Sequence, residues 1–296
     1  MVGSTGPTAR LAVRKTYKLY IGGAFPRSES GRSYQVQSAS GDFLANAALG
    51  SRKDVRDAVK AARAAVAKWS GATAYNRGQI LYRVAEMLEG RRDQFVAEVS
   101  AAEGVTAADA EALVDAAIDR WVWYAGWSDK IAQVHGGANP VAGPYFNLSA
   151  PEPTGVVGVV APAESSLLGL VSVVAPAIVT GNTVVVLAST ERPLPAVTLG
   201  EVLATSDLPG GVVNLLTGSV AEMAPWLAAH MDVNAIDLTG VTDPTLAQAL
   251  EVAAAENLKR VIRPETGHDP DWTADPGVSR MLSLLEIKTV WHPKGV

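Results

Sequence analysis

From Gly155 onward the chain alternates short β-branched apolar runs with apolar stretches of helical length, and this alternation limits the fold more than any other feature. Strand-like runs lie at 156–160, 183–187, 212–216, 235–238 and 260–262. Helix-like runs between them lie at 166–180, 195–205, 221–230 and 244–256. Strands without internal polar alternation must be buried on both faces, so the pattern predicts a parallel sheet with flanking helices, an α/β fold. No charged residue lies between Glu164 and Glu191, a length that could span a bilayer. Pro176 and Gly181-Asn182 break it, giving a helix and then a β-branched strand, and the expectation is a buried helix–turn–strand with no membrane association.

The upstream half is organised differently. Tyr20-Ile-Gly-Gly23 reads as an extended segment with a turn, and 35–37 and 44–49 read as short strands around Ser40-Gly41-Asp42. Ser51 is a good N-cap, with Asp54 in the first turn of a helix over 54–69 that carries Val55, Val59, Ala62 and Val66 on one face. Further helices are expected over 75–89, with Ile80, Val84, Met87 and Leu88 inward, then over 93–102 and 107–134. Trp121, Trp123, Tyr124 and Trp127 on the last of these read as core packing. Residues 136–153 hold four prolines and three glycines around Tyr145-Phe146-Asn147-Leu148, the mark of a projecting hairpin.

Composition excludes several functions. The 296 residues contain no cysteine, so disulfides, thiolate zinc sites and cysteine-held clusters are ruled out. His135, His230, His268 and His292 are far apart and show no metal-ligand spacing, so no metal is expected. Net charge is −5 and the basic pairs Arg14-Lys15 and Arg91-Arg92 are isolated, which disfavours nucleic acid. Residues 1–16 read as a flexible tail without an apolar signal segment, and a cytoplasmic location is expected.

Specific motifs add to this pattern. Pro153-Thr-Gly155-Val-Val-Gly158, Pro162, Leu167-Leu168, Pro176-Ala177, Thr180-Gly-Asn-Thr-Val-Val-Val186 and Pro193 occur in order. They are followed by Leu208-Pro-Gly-Gly-Val-Val-Asn214, Gly218, Leu238-Thr-Gly240 and Asn257-Leu-Lys-Arg260. With Tyr20-Ile-Gly-Gly23 and the helix around Val55, these resemble the aldehyde dehydrogenase superfamily over about residues 17–262. The resemblance implies a Rossmann-like coenzyme-type domain, its N-terminal strands and helices at 17–135 and its sheet at 155–270. The segment 136–154 resembles the family's oligomerisation hairpin. Leu285-Glu-Ile-Lys-Thr-Val-Trp291, within 271–296, resembles its C-terminal oligomerisation strand.

The same resemblance marks what is altered. The family attacks its aldehyde with a cysteine thiolate, and none is present. The family's Pro-Trp-Asn, whose Asn holds the oxyanion, stands here as Pro162-Ala163-Glu164; an ionised Glu164 only accepts hydrogen bonds. The ribose-binding Lys and Glu map onto Leu187 and Thr190, and a glycine near the pyrophosphate is lost around Thr245. The general base falls on Pro264, with Glu265 one residue out of register. Pro162, Ala163, Leu187, Thr190, Gly218 and Gly240 are therefore vestigial coenzyme positions, and no catalytic residue is assigned. After Pro270 the family's catalytic domain is missing, as in the shortened second module of some two-module aldehyde dehydrogenases.

These readings imply a non-catalytic subunit that joins a full-length aldehyde dehydrogenase paralogue, or itself, through Tyr145, Phe146, Asn147, Leu148, Ile287, Thr289, Val290 and Trp291. No cofactor is expected in this chain, and NAD or NADP would reside in the partner. The alternative is a dinucleotide-binding oxidoreductase or sensor with a remodelled site. A hydrolase built on Ser165-Ser166 ranks last, because no histidine is near and no Gly-x-Ser-x-Gly elbow occurs.

Overall fold

The computed structural model describes residues 15–264 and 270–295. At the N-terminal side, β1 (Thr16–Tyr17), β2 (Ser33–Gln37) and β3 (Phe43–Ala48) form a small sheet in the order β1-β3-β2. Helix α1 (Arg52–Ser70) begins where expected. The Asp54 carboxylate accepts the Ser51 backbone N–H at 2.8 Å, the returning half of a capping box. It also accepts the Ser28 hydroxyl at 2.8 Å and the Glu29 N–H at 3.0 Å, so one buried carboxylate fixes both the helix start and the preceding loop.

Helices α2 (Ala74–Glu89), α3 (Arg92–Glu103) and α4 (Ala107–Trp127) follow, then the short α5 (Ile131–His135). Helix α2 buries Leu81, Val84, Ala85 and Leu88; Ile80 and Met87 sit half-buried at the margin of that face. The helix expected to reach residue 134 stops at Trp127, because the Ser128 N–H turns back to Ala125 O and tightens the last turn. Trp121 and Tyr124 are core residues, with Trp123 and Trp127 packed at the edge of the same cluster.

Strands β4 (Gly137–Asn139) and β5 (Tyr145–Pro153) form the hairpin. The central αβ alternation is then β6 (Val156–Val160), α6 (Leu168–Val179), β7 (Thr183–Leu187), α7 (Leu194–Ala204), β8 (Val213–Leu216), α8 (Val220–Ala229), β9 (Ala235–Asp237), α9 (Pro244–Ala255) and β10 (Arg260–Ile262). The five strands are all parallel, in the order β10-β9-β6-β7-β8. Side-chain period two divides the core. Val157, Val159, Val184, Val186 and Leu215 face the layer of α2–α4, α6 and α7. Val156, Val160, Val185, Leu187 and Leu216 face α1, α8 and α9. Pro176 lies inside α6, as the expected helical run over 166–180 requires, and Gly181, at φ +99°, makes the turn. The proline forfeits one helical hydrogen bond, and every residue of α6 is buried in compensating contacts.

After α10 (Ser279–Ser283), strand β11 (Leu285–Pro293) lies antiparallel on β5 along its whole length, completing a second peripheral sheet in the order β11-β5-β4. Asn182 locks that sheet to the core. Its side chain accepts the Gly155 N–H at 2.8 Å and donates to Leu284 O at 3.0 Å. Asn182→Ala strands both backbone groups in the interior, so chemical denaturation should show a loss of about 2–4 kcal/mol.

A second buried polar group predicts a pH effect. Glu98 Oε1 accepts from Tyr17, Gln94 and Thr198, whereas Oε2 has no partner among the described residues. Burial holds its carboxyl above the ordinary value of 4.5. The folded state therefore binds this proton more tightly than the unfolded chain. That contribution is complete below pH 4.5 and is lost as pH rises through the folded-state value. The urea midpoint of wild type relative to Glu98→Gln should fall from pH 4.5 to pH 7; a pH-independent difference would contradict the assignment.

A candidate site at the sheet's switch point and an unpaired strand edge

In an open parallel sheet a ligand cleft forms beyond the carboxyl ends of the strands, where the strand order reverses. Here the chain moves outward from β6 through β7 and β8, then crosses to β9 and β10 on the other side. The segments after β6, β7 and β9, with the start of α8, enclose a cleft of about 320 Å³. Ala163, Glu164, Thr190 and Gly240, named from sequence, meet there. Three other named positions do not line it. Leu187 is fully buried under α1 and α8, Pro162 packs on Gly169, and Gly218 meets the site only by accepting the Thr190 hydroxyl at 2.9 Å. Pro264 lies beyond β10, outside the cleft, and Glu265 lies outside the described residues.

The cleft's electrostatics come mainly from residues the sequence reading did not single out. Glu191 and Asp243 join Glu164 on its walls. Arg192 pairs with the Glu164 carboxylate at 2.7 Å and donates to its carbonyl at 2.6 Å. Asp243 caps α9, accepting the Thr245 N–H at 2.9 Å, and Pro244 supplies no N–H at all. The end of α9 that faces the cleft therefore carries its own carboxylate and few free donors. Asp-Pro ahead of a helical run was a legible capping signal.

Gly240 is explained by packing. Its N–H donates to Val160 O at 3.0 Å, and a Cβ would stand 1.9 Å from Ala161 O. Ser165 and Ser166 are equally structural. The Ser165 hydroxyl accepts the Gly169 N–H at 2.8 Å, and the buried Ser166 hydroxyl and N–H both donate to Glu103 at 2.6 Å. The Ser165 hydroxyl serves the first turn of α6 and the Ser166 hydroxyl is turned to Glu103, so neither is presented to a substrate.

The second candidate feature is the peripheral sheet. Among the described residues, strand β11 pairs only with β5, and its outer backbone edge has no strand beside it. Tyr145, Phe146, Leu148, Ile287, Val290 and Trp291 are exposed. Thr289 bonds Ser149 across the strands at 2.8 Å, and the Tyr145 and Trp291 rings meet edge to face at 5.8 Å. Asn147, expected among the surface residues, is buried beneath Asn139, whose amide donates to it at 2.5 Å.

Comparison with known proteins agrees with this architecture. The profile described as the aldehyde dehydrogenase family matches residues 25–271. The chain belongs to the aldehyde dehydrogenase family. Retinal dehydrogenase 2 of Gallus gallus is 34% identical over 271 residues, covering 90% of this chain and 51% of that protein. The mitochondrial aldehyde dehydrogenase family 2 member B4 of Arabidopsis thaliana is 35% identical over 259 residues, covering 86% and 47%. The NAD+ complex of an aldehyde dehydrogenase from Bacillus cereus superposes with a TM-score of 0.79 at 27% identity, covering 83% of this chain and 50% of that one. The chain thus spans about half the length of the curated relatives it matches. The α/β fold with its parallel sheet and flanking helices is the aldehyde dehydrogenase fold. No helix of the described residues is long and apolar enough to cross a membrane.

The Gly240 contact makes a direct prediction. Gly240→Ala should destabilise the chain by about 3 kcal/mol, the upper range for overpacking, because the obstacle is backbone and not a movable side chain. Thermal unfolding of the variant would measure it.

Proposed function

We propose that this chain is a non-catalytic member of the aldehyde dehydrogenase family that assembles with a full-length, NAD(P)-dependent relative. The observation that carries the reading is the open β11 edge with its exposed apolar residues, on a chain that has no cysteine to attack an aldehyde. An edge strand with unpaired backbone groups favours addition to another chain's sheet. Residues 263–278 alone separate β10 from α10, so the path from the central sheet to the peripheral strand contains no further domain. A full-length partner would supply the nucleophile, the base and the coenzyme.

The cleft supports the partner as the holder of coenzyme. A dinucleotide's pyrophosphate is held by free N–H donors and the positive end of a helix dipole. At α9 the Asp243 carboxylate occupies one donor, Pro244 removes another, and Glu164 and Glu191 add negative charge. Leu187 offers no group to a ribose, since its side chain lies in the core. These residues do not fit a dinucleotide, and no reaction step is assigned to this chain.

Two measurements test the proposal. Tagged full-length chain, purified from its native cells, should retain a cysteine-bearing aldehyde dehydrogenase in fixed ratio. The double variant Val290→Lys, Trp291→Glu should lose it, because both side chains are exposed on β11. Recovery of this chain alone, or undiminished association of the variant, would refute the assembly. Calorimetry with NAD and NADP should show no binding to the isolated chain below millimolar concentrations. Micromolar binding would return the weight to a dinucleotide-binding sensor or oxidoreductase.

A further inference from the structure

A separate cavity of about 270 Å³ lies between the start of α1 and the end of α8, and shares no lining residue with the switch-point cleft. Arg52, Lys53, Val55 and Arg56 line it from α1, Trp226 from α8, and His230 from the residue after α8. No carboxylate is among these lining residues. The apolar part is the buried Val55 and the Trp226 indole, which is 47% exposed. An indole left half open to water forgoes part of its apolar burial, and a flat guest would recover it.

The donors facing this space differ in how far they are committed. Lys53 pairs with Glu29 at 2.5 Å, and Arg56 with Asp57 at 2.8 Å. Arg52 lies over the Trp226 ring, 4.8 Å from its centroid, a cation–π contact that consumes no N–H. Among the described residues it makes no hydrogen bond or ion pair. The remaining carboxylates around the two helix ends are turned elsewhere. Asp54 is buried and accepts from Ser28, Glu29 and Ser51; Glu222 pairs with Arg32 at 3.7 Å, and Asp232 lies 3.9 Å from Arg63. His230 Nδ1 accepts the Asp232 N–H at 3.2 Å, so the neutral ring carries its proton on Nε2, which has no acceptor among the described residues. Burial, outweighing Asp232 and aided by Lys259 and Arg63, holds the imidazole pKa below its usual 6.5, so the ring is neutral at pH 7.

We propose that this cavity binds a small aromatic monocarboxylate, its carboxylate held by the Arg52 guanidinium and its ring packed on Trp226 and Val55. The planar guanidinium fork matches two carboxylate oxygens, and an arginine resting on an aromatic face keeps its N–H edge free for that contact. The commitments of the other cations set the valence. Only Arg52 offers a charge not already paired, which suits one negative charge; a dianion would have to take Lys53 or Arg56 from its own carboxylate. The indole sets the shape, since aromatic pairs gain beyond their buried area. A volume just under the usual range for drug-sized ligands limits the guest to one or two rings. The site stands apart from the switch-point cleft and from the β11 edge, so it is independent of the assembly proposed above.

The test is titration of the full, ¹⁵N-labelled chain with benzoate at constant ionic strength, read on its tryptophan indole N–H signals. The chain has seven tryptophans, and Trp226→Phe identifies the signal of interest by its loss. Benzoate should shift the Trp226 signal saturably, with one-to-one stoichiometry. Benzamide, which lacks the charge, cyclohexanecarboxylate, which lacks the flat ring, and inorganic phosphate should each bind more weakly or not at all. Arg52→Gln should weaken benzoate about tenfold, and Arg52→Lys, which keeps the charge and loses the fork, should also weaken it. The other indole signals of both variants should stay in place, since Arg52 holds no ion pair among the described residues and a lost fold would move them all. Absence of a saturable Trp226 shift at tens of millimolar benzoate, equal binding of benzamide or cyclohexanecarboxylate, preference for phosphate, or unchanged affinity in Arg52→Gln would each overturn the assignment.

Discussion

Everything in this molecule follows from a sheet that must be dry on both faces. The runs Val156–Val160 and Thr183–Leu187 are buried at every position, so neither face tolerates water. Helices must cover both, and the crossovers distribute them, α6 and α7 to one side and α8 and α9 to the other. At about 25 cal/mol per Å² of apolar surface, burial on this scale is the largest favourable contribution to folding. The same constraint fixes the small features. Gly158 exists because α8 passes so close that a Cβ would meet Leu227 at 2.8 Å, and Gly240 because the turn after β9 presses on the end of β6.

That sheet also creates a cleft whether or not a ligand uses it. The reversal of strand order beside β6 leaves a gap by topology alone. In this chain the gap is lined by Glu164, Glu191 and Asp243, and the helix end that would receive an anion is capped from within. The scaffold and its ligand chemistry are thus separable. Packing preserves the glycines and the apolar strands, while the polar positions around the cleft are free to change without loss of the fold.

Much of the scaffold was legible because periodicity is a local property. The alternation from Val156 to Ile262, the Ser51–Asp54 cap and the pairing of the terminal strand with the hairpin are all found in place. Errors arose where a local rule met a tertiary environment. Helix α4 ends at Trp127 although its apolar pattern continues. Asn147 sits in an exposed hairpin yet is buried by Asn139.

The sequence by itself determined the fold class, the order of elements and the lack of a thiolate nucleophile, since composition and period require no long-range information. Tertiary structure alone decided which polar groups face one another. Leu187 and Thr190 are three residues apart, yet one is core and the other wall, because β7 ends between them. Arg120 and Arg280 are separated by most of the chain, and only the return of α10 onto α6 brings them to one cavity. Such meetings depend on how distant segments pack, and no local pattern in the chain records them.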